Sequence, residues 1–137
     1  MKLAIIGSKG MLGSVVNKYL SKSSNDFEII IARRLERNNI NKFLDSIENA
    51  DYVINCSGAI PQRAPIFKNN NEILDYYKIN YQIPELLLKN NFKVIHPCTD
   101  CVFKGDPKLA PYSLDSKYDC EDFYGQSKAQ LFFGNTY

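Results

Sequence analysis

The sequence predicts an α/β protein, a doubly wound parallel sheet flanked by helices. Three observations carry that expectation. Short apolar runs rich in branched residues alternate with segments of helical period, as parallel strands linked by helical crossovers require. A glycine cluster, Gly7-Ser8-Lys9-Gly10-Met11-Leu12-Gly13, joins the first such run to the first helical segment. Towards the other end, Tyr124 and Lys128 stand four apart in a segment that reads as helix through Ala129, Leu131 and Phe132.

In chain order, residues 2–6 form the first strand, and residues 11–20 a helix with Leu12, Val15, Val16, Tyr19 and Leu20 on one face. Residues 28–32 are the second strand, ending in Arg33-Arg34. A short helix over 41–48 presents Phe43, Leu44 and Ile47, and a strand over 52–56 runs out at Ser57-Gly58-Ala59. Residues 70–89 read as a long helix with Ile73, Leu74, Tyr77, Ile83, Leu86 and Leu87 inward, kinked by Pro84, which removes a helical hydrogen bond. A last strand over 92–96 is stopped by Pro97. Between Arg34 and Asn41 there is too little chain for a strand and its crossover, so one strand of the usual sheet is expected to be reduced or missing.

Glycines at a strand-to-helix turn permit a tight turn, close approach of a pyrophosphate to the backbone and close helix packing. The helix N-terminus adds free N–H groups and a positive dipole end. The spacing here is Gly-x-x-Gly-x-x-Gly, not Gly-x-Gly-x-x-Gly, and there is no Gly-Lys-Ser/Thr ending, which argues against a nucleotide triphosphatase. Arg33 and Arg34 stand where an NAD-binding chain would carry an acid, and arginine suits a phosphate or an adenine face. NADPH is therefore favoured, with NADH open. The alternative for Arg33, Arg34 and Arg37 is a solvated basic loop.

Ligands of such sheets bind beyond the carboxyl ends of the strands, where Gly7–Gly13, Ala32–Arg34, Asn55–Ala59 and Cys98–Phe103 gather. Tyr124 beside Lys128 can serve as a proton donor, because an ammonium favours the phenolate and draws a pKa near ~10 toward neutrality. The plain alternative is a packed ring and a solvated lysine.

These residues resemble the extended short-chain dehydrogenase/reductases, and among them the dTDP-4-dehydrorhamnose reductase-like proteins that act on sugar nucleotides. The matching pieces are Gly7 to Gly13, Val53 to Ala59, Asn80, Cys98-Thr99-Asp100-Cys101-Val102-Phe103-Lys104-Gly105 and Tyr124-Gly125-Gln126-Ser127-Lys128. The resemblance implies a Rossmann-like, NAD(P)-binding domain that reduces a nucleotide-linked 4-keto-sugar with NADPH. Tyr124 would protonate the keto oxygen, Thr99 would hydrogen-bond it, and Lys128 would hold the nicotinamide ribose. Asn80 would support the lysine, and Asn55, Cys56, Ser57, Gly58 and Ala59 would line the cofactor beside Gly7, Lys9, Gly10, Met11, Leu12, Gly13, Arg33 and Arg34. Cys101 stands where the rhamnose-forming enzymes often have tyrosine. With Glu121-Asp122-Phe123 it looks more like a related subgroup, which leaves the particular sugar open. Two other outcomes stay open, a cofactor-binding fragment or subunit without turnover and a sugar-nucleotide epimerase.

Members of this family continue past the catalytic helix, so residues 1–137 are expected to be an incomplete NAD(P)-binding domain without its C-terminal substrate-binding region. Family resemblance also implies a homodimer through helices 70–89 and 124–133. Cys98 and Cys101 have C-x-x-C spacing, but Cys56, Cys120 and His96 complete no ligand set, so reduced thiols and no metal are expected. The opening apolar run is broken at Gly7, too early for a spanning helix or a signal sequence, and a cytoplasmic protein is expected. A net charge of +2 carries no polyanion footprint.

Overall fold

The structure, a computed structural model, describes residues 1–23, 26–36, 38–62, 72–113 and 115–133, with backbone alone for 72–74 and 133. Arg37, the first two residues of the predicted long helix, the side chains of Ile73 and Leu74, and residues 134–137 lie outside this description. The chain divides into two compact units, Met1–Ser57 with Leu86–Pro97, and Gly58–Glu85 with Cys98–Tyr137.

In the first unit a parallel sheet forms from β1 (Lys2–Ile6), β2 (Glu28–Ile31), β3 (Tyr52–Asn55) and β4 (Val94–Ile95), ordered β2-β1-β3-β4. Leu3 lies between Ile29 and Tyr52, and Ile5 between Ile31 and Ile54. Leu3, Ala4, Ile5 and Ile6 are buried in succession, as in a central parallel strand covered on both faces. β3 lies on the opposite side of β1 from β2, so the chain reverses direction across the sheet at β1. In open α/β sheets that switch point marks the ligand crevice.

Within the described residues β2 is an edge and no strand lies beyond it, as the short interval after Arg34 predicts. That interval leads into α2 (Ile40–Asp45), which buries Phe43 and stops earlier than the predicted 41–48 because the Ser46 hydroxyl bonds back to the Phe43 carbonyl at 2.6 Å. Ile47, in the turn that follows, is also fully buried. β4 is shorter than the predicted strand, although Val53 N–H extends its ladder to the Lys93 carbonyl at 2.8 Å.

Helix α1 (Met11–Lys22) carries the expected apolar face largely uncovered: Val15 is 63% and Tyr19 71% exposed, Leu12 is also exposed, and only Gly13 is buried. Helical period reveals an apolar face but not what covers it.

The predicted long helix is three pieces, α3 (Glu72–Tyr77), a π-helical turn (Lys78–Gln82) and α4 (Ile83–Lys89). Ile83 N–H reaches the Lys78 carbonyl, five residues back. The widening precedes Pro84, which has no N–H to offer and whose ring would press on the Asn80 carbonyl in a regular helix. In the second unit α3 and the π turn pack on α5 (Phe123–Phe133), as does a short 3₁₀ helix at Asp100–Val102. Phe103 stacks on Tyr112 at 4.3 Å, and Tyr118 bridges Phe103 and Phe132. Among the described residues no helix is long and apolar enough to cross a membrane.

Candidate active site

In the first unit the turn after β1 is built around absent side chains. Gly7 has φ +73°, and a Cβ there would stand 3.0 Å from the Ser57 amide nitrogen. A Cβ on Gly13 would fall 2.2 Å from the Gly7 carbonyl oxygen, so the first turn of α1 sits against bare backbone. Gly10 N–H closes the turn onto that carbonyl at 2.9 Å, and Gly10 caps α1 with no side-chain bond and no acid in the first turn. Asn55, in register with Ile6, is fully buried; its Oδ1 accepts from the Ser57 amide and hydroxyl. Its Nδ2 is buried with no partner among the described residues. A bare cradle, an uncapped helix N-terminus and an unspent buried donor fit a dinucleotide pyrophosphate. Lys9, Met11 and Leu12 are exposed at this turn, and burial pushes the Cys56 thiol up.

Arg33 and Arg34 are both exposed beyond β2. Arg33 lines an open cleft with Lys42, Asp45 and Ser46, its amide bonding the Ser46 hydroxyl at 3.2 Å. Asn39 pins the loop from the other side through the Arg34 carbonyl and the Glu36 amide.

The second unit gathers Gly58, Ala59, Asn80, Thr99, Tyr124 and Lys128. α5 presents Tyr124 and Lys128 one turn apart, and it starts after Asp122, whose carboxylate accepts the Gly125 amide at 2.8 Å. The Thr99 hydroxyl accepts the Cys101 amide at 3.2 Å, which fixes it at the head of the 3₁₀ helix, near enough to the Tyr124 phenol to act on its pKa. The Tyr76 ring lies 6.0 Å from that of Tyr124. Lys128 is buried, and a Cβ on Gly58 would stand 4.0 Å from its Nζ.

Asn80, at the centre of the π turn and fully buried, clamps this arrangement. Its Oδ1 accepts the Ala59 amide at 2.8 Å, and its Nδ2 donates to the Ala59 carbonyl and the Ser127 hydroxyl, each at 3.0 Å. Ser127 in turn donates to the Tyr124 carbonyl at 2.7 Å. Sequence reasoning passed over Ser127 and the packing role of Gly125, although both lie inside the Tyr124–Lys128 segment. The missing signal is three-dimensional, since only a fold that buries Ser127 gives its hydroxyl a structural task.

The expected acidity of Tyr124 is corrected. Burial pushes the phenol up, the Thr99 hydrogen bond works the other way, and nearby Cys101, Cys98 and Asp100 add to the rise. Burial draws Lys128 down, with Cys98 opposing. Desolvation of each charged form outweighs the attraction that the four-residue spacing implies.

The profile of a family described as the RmlD substrate binding domain matches residues 1–131. The chain belongs to this family. A search of curated proteins found no match. Among solved structures the chain resembles the L780 UDP-rhamnose synthase of Acanthamoeba polyphaga mimivirus, at 20% identity and TM-score 0.74 over 97% of this chain and 52% of the other. It resembles dTDP-4-dehydrorhamnose reductase of Bacillus anthracis, in complex with NADP, at 21% and 0.74 over 97% and 49%. It also resembles UDP-N-acetylglucosamine 4-epimerase of Bacillus cereus at 19% and 0.70 over 100% and 48%. The RmlD-family chain thus has a Rossmann-like fold and spans about half the length of these structures.

Proposed function

We propose that this chain is the NADPH-binding and proton-donating part of a reductase acting on a nucleotide-linked 4-keto-sugar. The observation that carries the reading is the Tyr124 phenol, set near enough to Thr99 for the threonine to counter the rise in its pKa, on the helix that also carries the buried Lys128. An acid and a second hydroxyl so placed suit one carbonyl oxygen, which needs a proton and a neutral hydrogen-bond partner as it gains negative charge. Bound NADPH would supply the hydride to the carbonyl carbon. Tyr124 gives its proton to the oxygen, Thr99 orients that oxygen, and the phenolate regains a proton from solvent. Lys128 holds the nicotinamide ribose, and Asn80 acts on it through position, since its amide is engaged with Ala59 and Ser127. The Gly7–Gly13 turn receives the pyrophosphate. Two cations, Arg33 and Lys42, beside the Ser46 hydroxyl favour a 2′-phosphate, hence NADPH over NADH.

The test mixes the purified chain with NADPH or NADH and nucleotide-linked 4-keto-sugars, following cofactor absorbance and sugar products. Turnover with NADPH is expected, and Tyr124→Phe should lose about 10²–10⁴-fold in rate while keeping NADPH affinity. Failure of the chain to bind either cofactor would sink the proposal. Cofactor binding without turnover would assign a cofactor-binding subunit, and a changed sugar without net NADPH loss would assign an epimerase.

A further inference from the structure

The thiols beside Tyr124 remain outside that chemistry. The backbone of Cys101 and the side chain of Cys120 both border Gly125, the residue after Tyr124. A Cβ on Gly125 would stand 2.2 Å from the Cys101 carbonyl oxygen, 2.8 Å from Cys120 Cβ and 3.0 Å from Cys120 Sγ. The Cys120 amide donates to the Val102 carbonyl at 3.3 Å, so the two cysteine-bearing segments are hydrogen-bonded to each other. Gly125 puts no side chain of its own between the Cys101 backbone and the Cys120 side chain. All four cysteines are free thiols in the structure, Cys98 and Cys101 exposed, Cys120 and Cys56 partly buried.

We propose that Cys101 and Cys120 are a peroxide-responsive pair that closes to a disulfide across Gly125. Of this pair Cys101 is the exposed thiol and so the one open to a hydroperoxide, its Sγ 3.8 Å from Asp100 Oδ1. Its thiolate attacks the peroxide, breaking the O–O bond to give a sulfenic acid and hydroxide. The Cys120 thiol then attacks that sulfur, the S–S bond forms, and the sulfenic oxygen leaves as water with the thiol proton. Two thiols are oxidised and one hydroperoxide is reduced. Burial and Asp122 push the Cys120 thiol up, which suits it to the resolving rather than the attacking role. The bond would tie the segment carrying Thr99 to the segment entering α5, and so bracket the Thr99–Tyr124 contact.

The test treats the reduced chain with hydrogen peroxide, blocks remaining thiols by alkylation and digests with trypsin for mass spectrometry. Cys98 and Cys101 fall in the peptide 94–104, and Cys120 in the peptide 118–128. The expected product is these two peptides cross-linked as the major oxidised species, released by dithiothreitol. It should persist in Cys98→Ser and vanish in Cys101→Ser and Cys120→Ser. Since the unmodified chain gives the primary result, a variant that fails to fold does not blur it. A bond confined to 94–104, persistence of the cross-link in Cys101→Ser, or oxidation to sulfinic acid without any cross-link would overturn the proposal.

Discussion

Tyr124 and Lys128 are drawn toward each other in acidity, the phenol upward and the ammonium downward. A phenol raised above its unfolded value stays protonated in the fold. Its contribution to stability is present below about pH 10 and lost as pH climbs through its folded pKa. Lys128 has the opposite sign: its folded pKa lies below its unfolded one near ~10.4, so its contribution is present above that value and lost as pH falls through the folded pKa. The raised phenol keeps the proton that the proposed reduction would use. The rate of the proposed reduction should therefore fall on the alkaline side, where the phenol loses its proton. A limb centred near neutrality in a measured pH–rate profile would mean that the ammonium dominates the phenol after all. Asn80 supplies the second residue-scale prediction. Replacing it with alanine strips partners from both backbone groups of Ala59 and from Ser127, at about 1–3 kcal/mol for each group left buried and unpaired. Urea denaturation of Asn80→Ala should show a loss of at least about 2 kcal/mol. An unchanged midpoint with a fall in rate alone would move Asn80 from positioning to chemistry.

At the scale of elements, β1, β3 and the glycine turn were legible because each is a local pattern: a branched apolar run, then residues whose missing side chains the turn needs. The candidate site residues Thr99, Tyr124 and Lys128 were legible as motifs, and the fold brings them into one unit. What was not legible depends on partners distant in sequence. The π turn at Lys78–Gln82 follows from Pro84 together with an amide that must meet Ala59, and period alone suggested an ordinary kink. The exposure of Val15 and Tyr19 could not be read from α1, whose stripe looks the same whether covered or bare. The direction of the Tyr124 pKa shift escapes the sequence for a similar reason, since spacing reports a neighbouring charge but not the burial that opposes it.

For the whole molecule, the first unit rests on few large side chains. Phe43 and Ile47 lie at 0% exposure, as do the sheet residues Ile5 and Val53, and a short helix with its following turn supplies the pair. Phe43→Ala should cost about 3–5 kcal/mol, a large share of the 5–15 typical of a domain, measured as the shift in chemical denaturation. A loss below about 1 kcal/mol would mean that the site collapses around the missing ring or that this unit contributes little to cooperative unfolding.

Gly13 and Gly125 have no room for a methyl group, each facing a carbonyl oxygen at 2.2 Å from where it would sit. In any tally of tolerated substitutions such positions would look as irreplaceable as Tyr124, yet neither donates a proton nor carries a charge. Their indispensability would survive the loss of all activity, so a lineage that had abandoned the reaction would keep these glycines longest, as the imprint of a shape rather than of a chemistry.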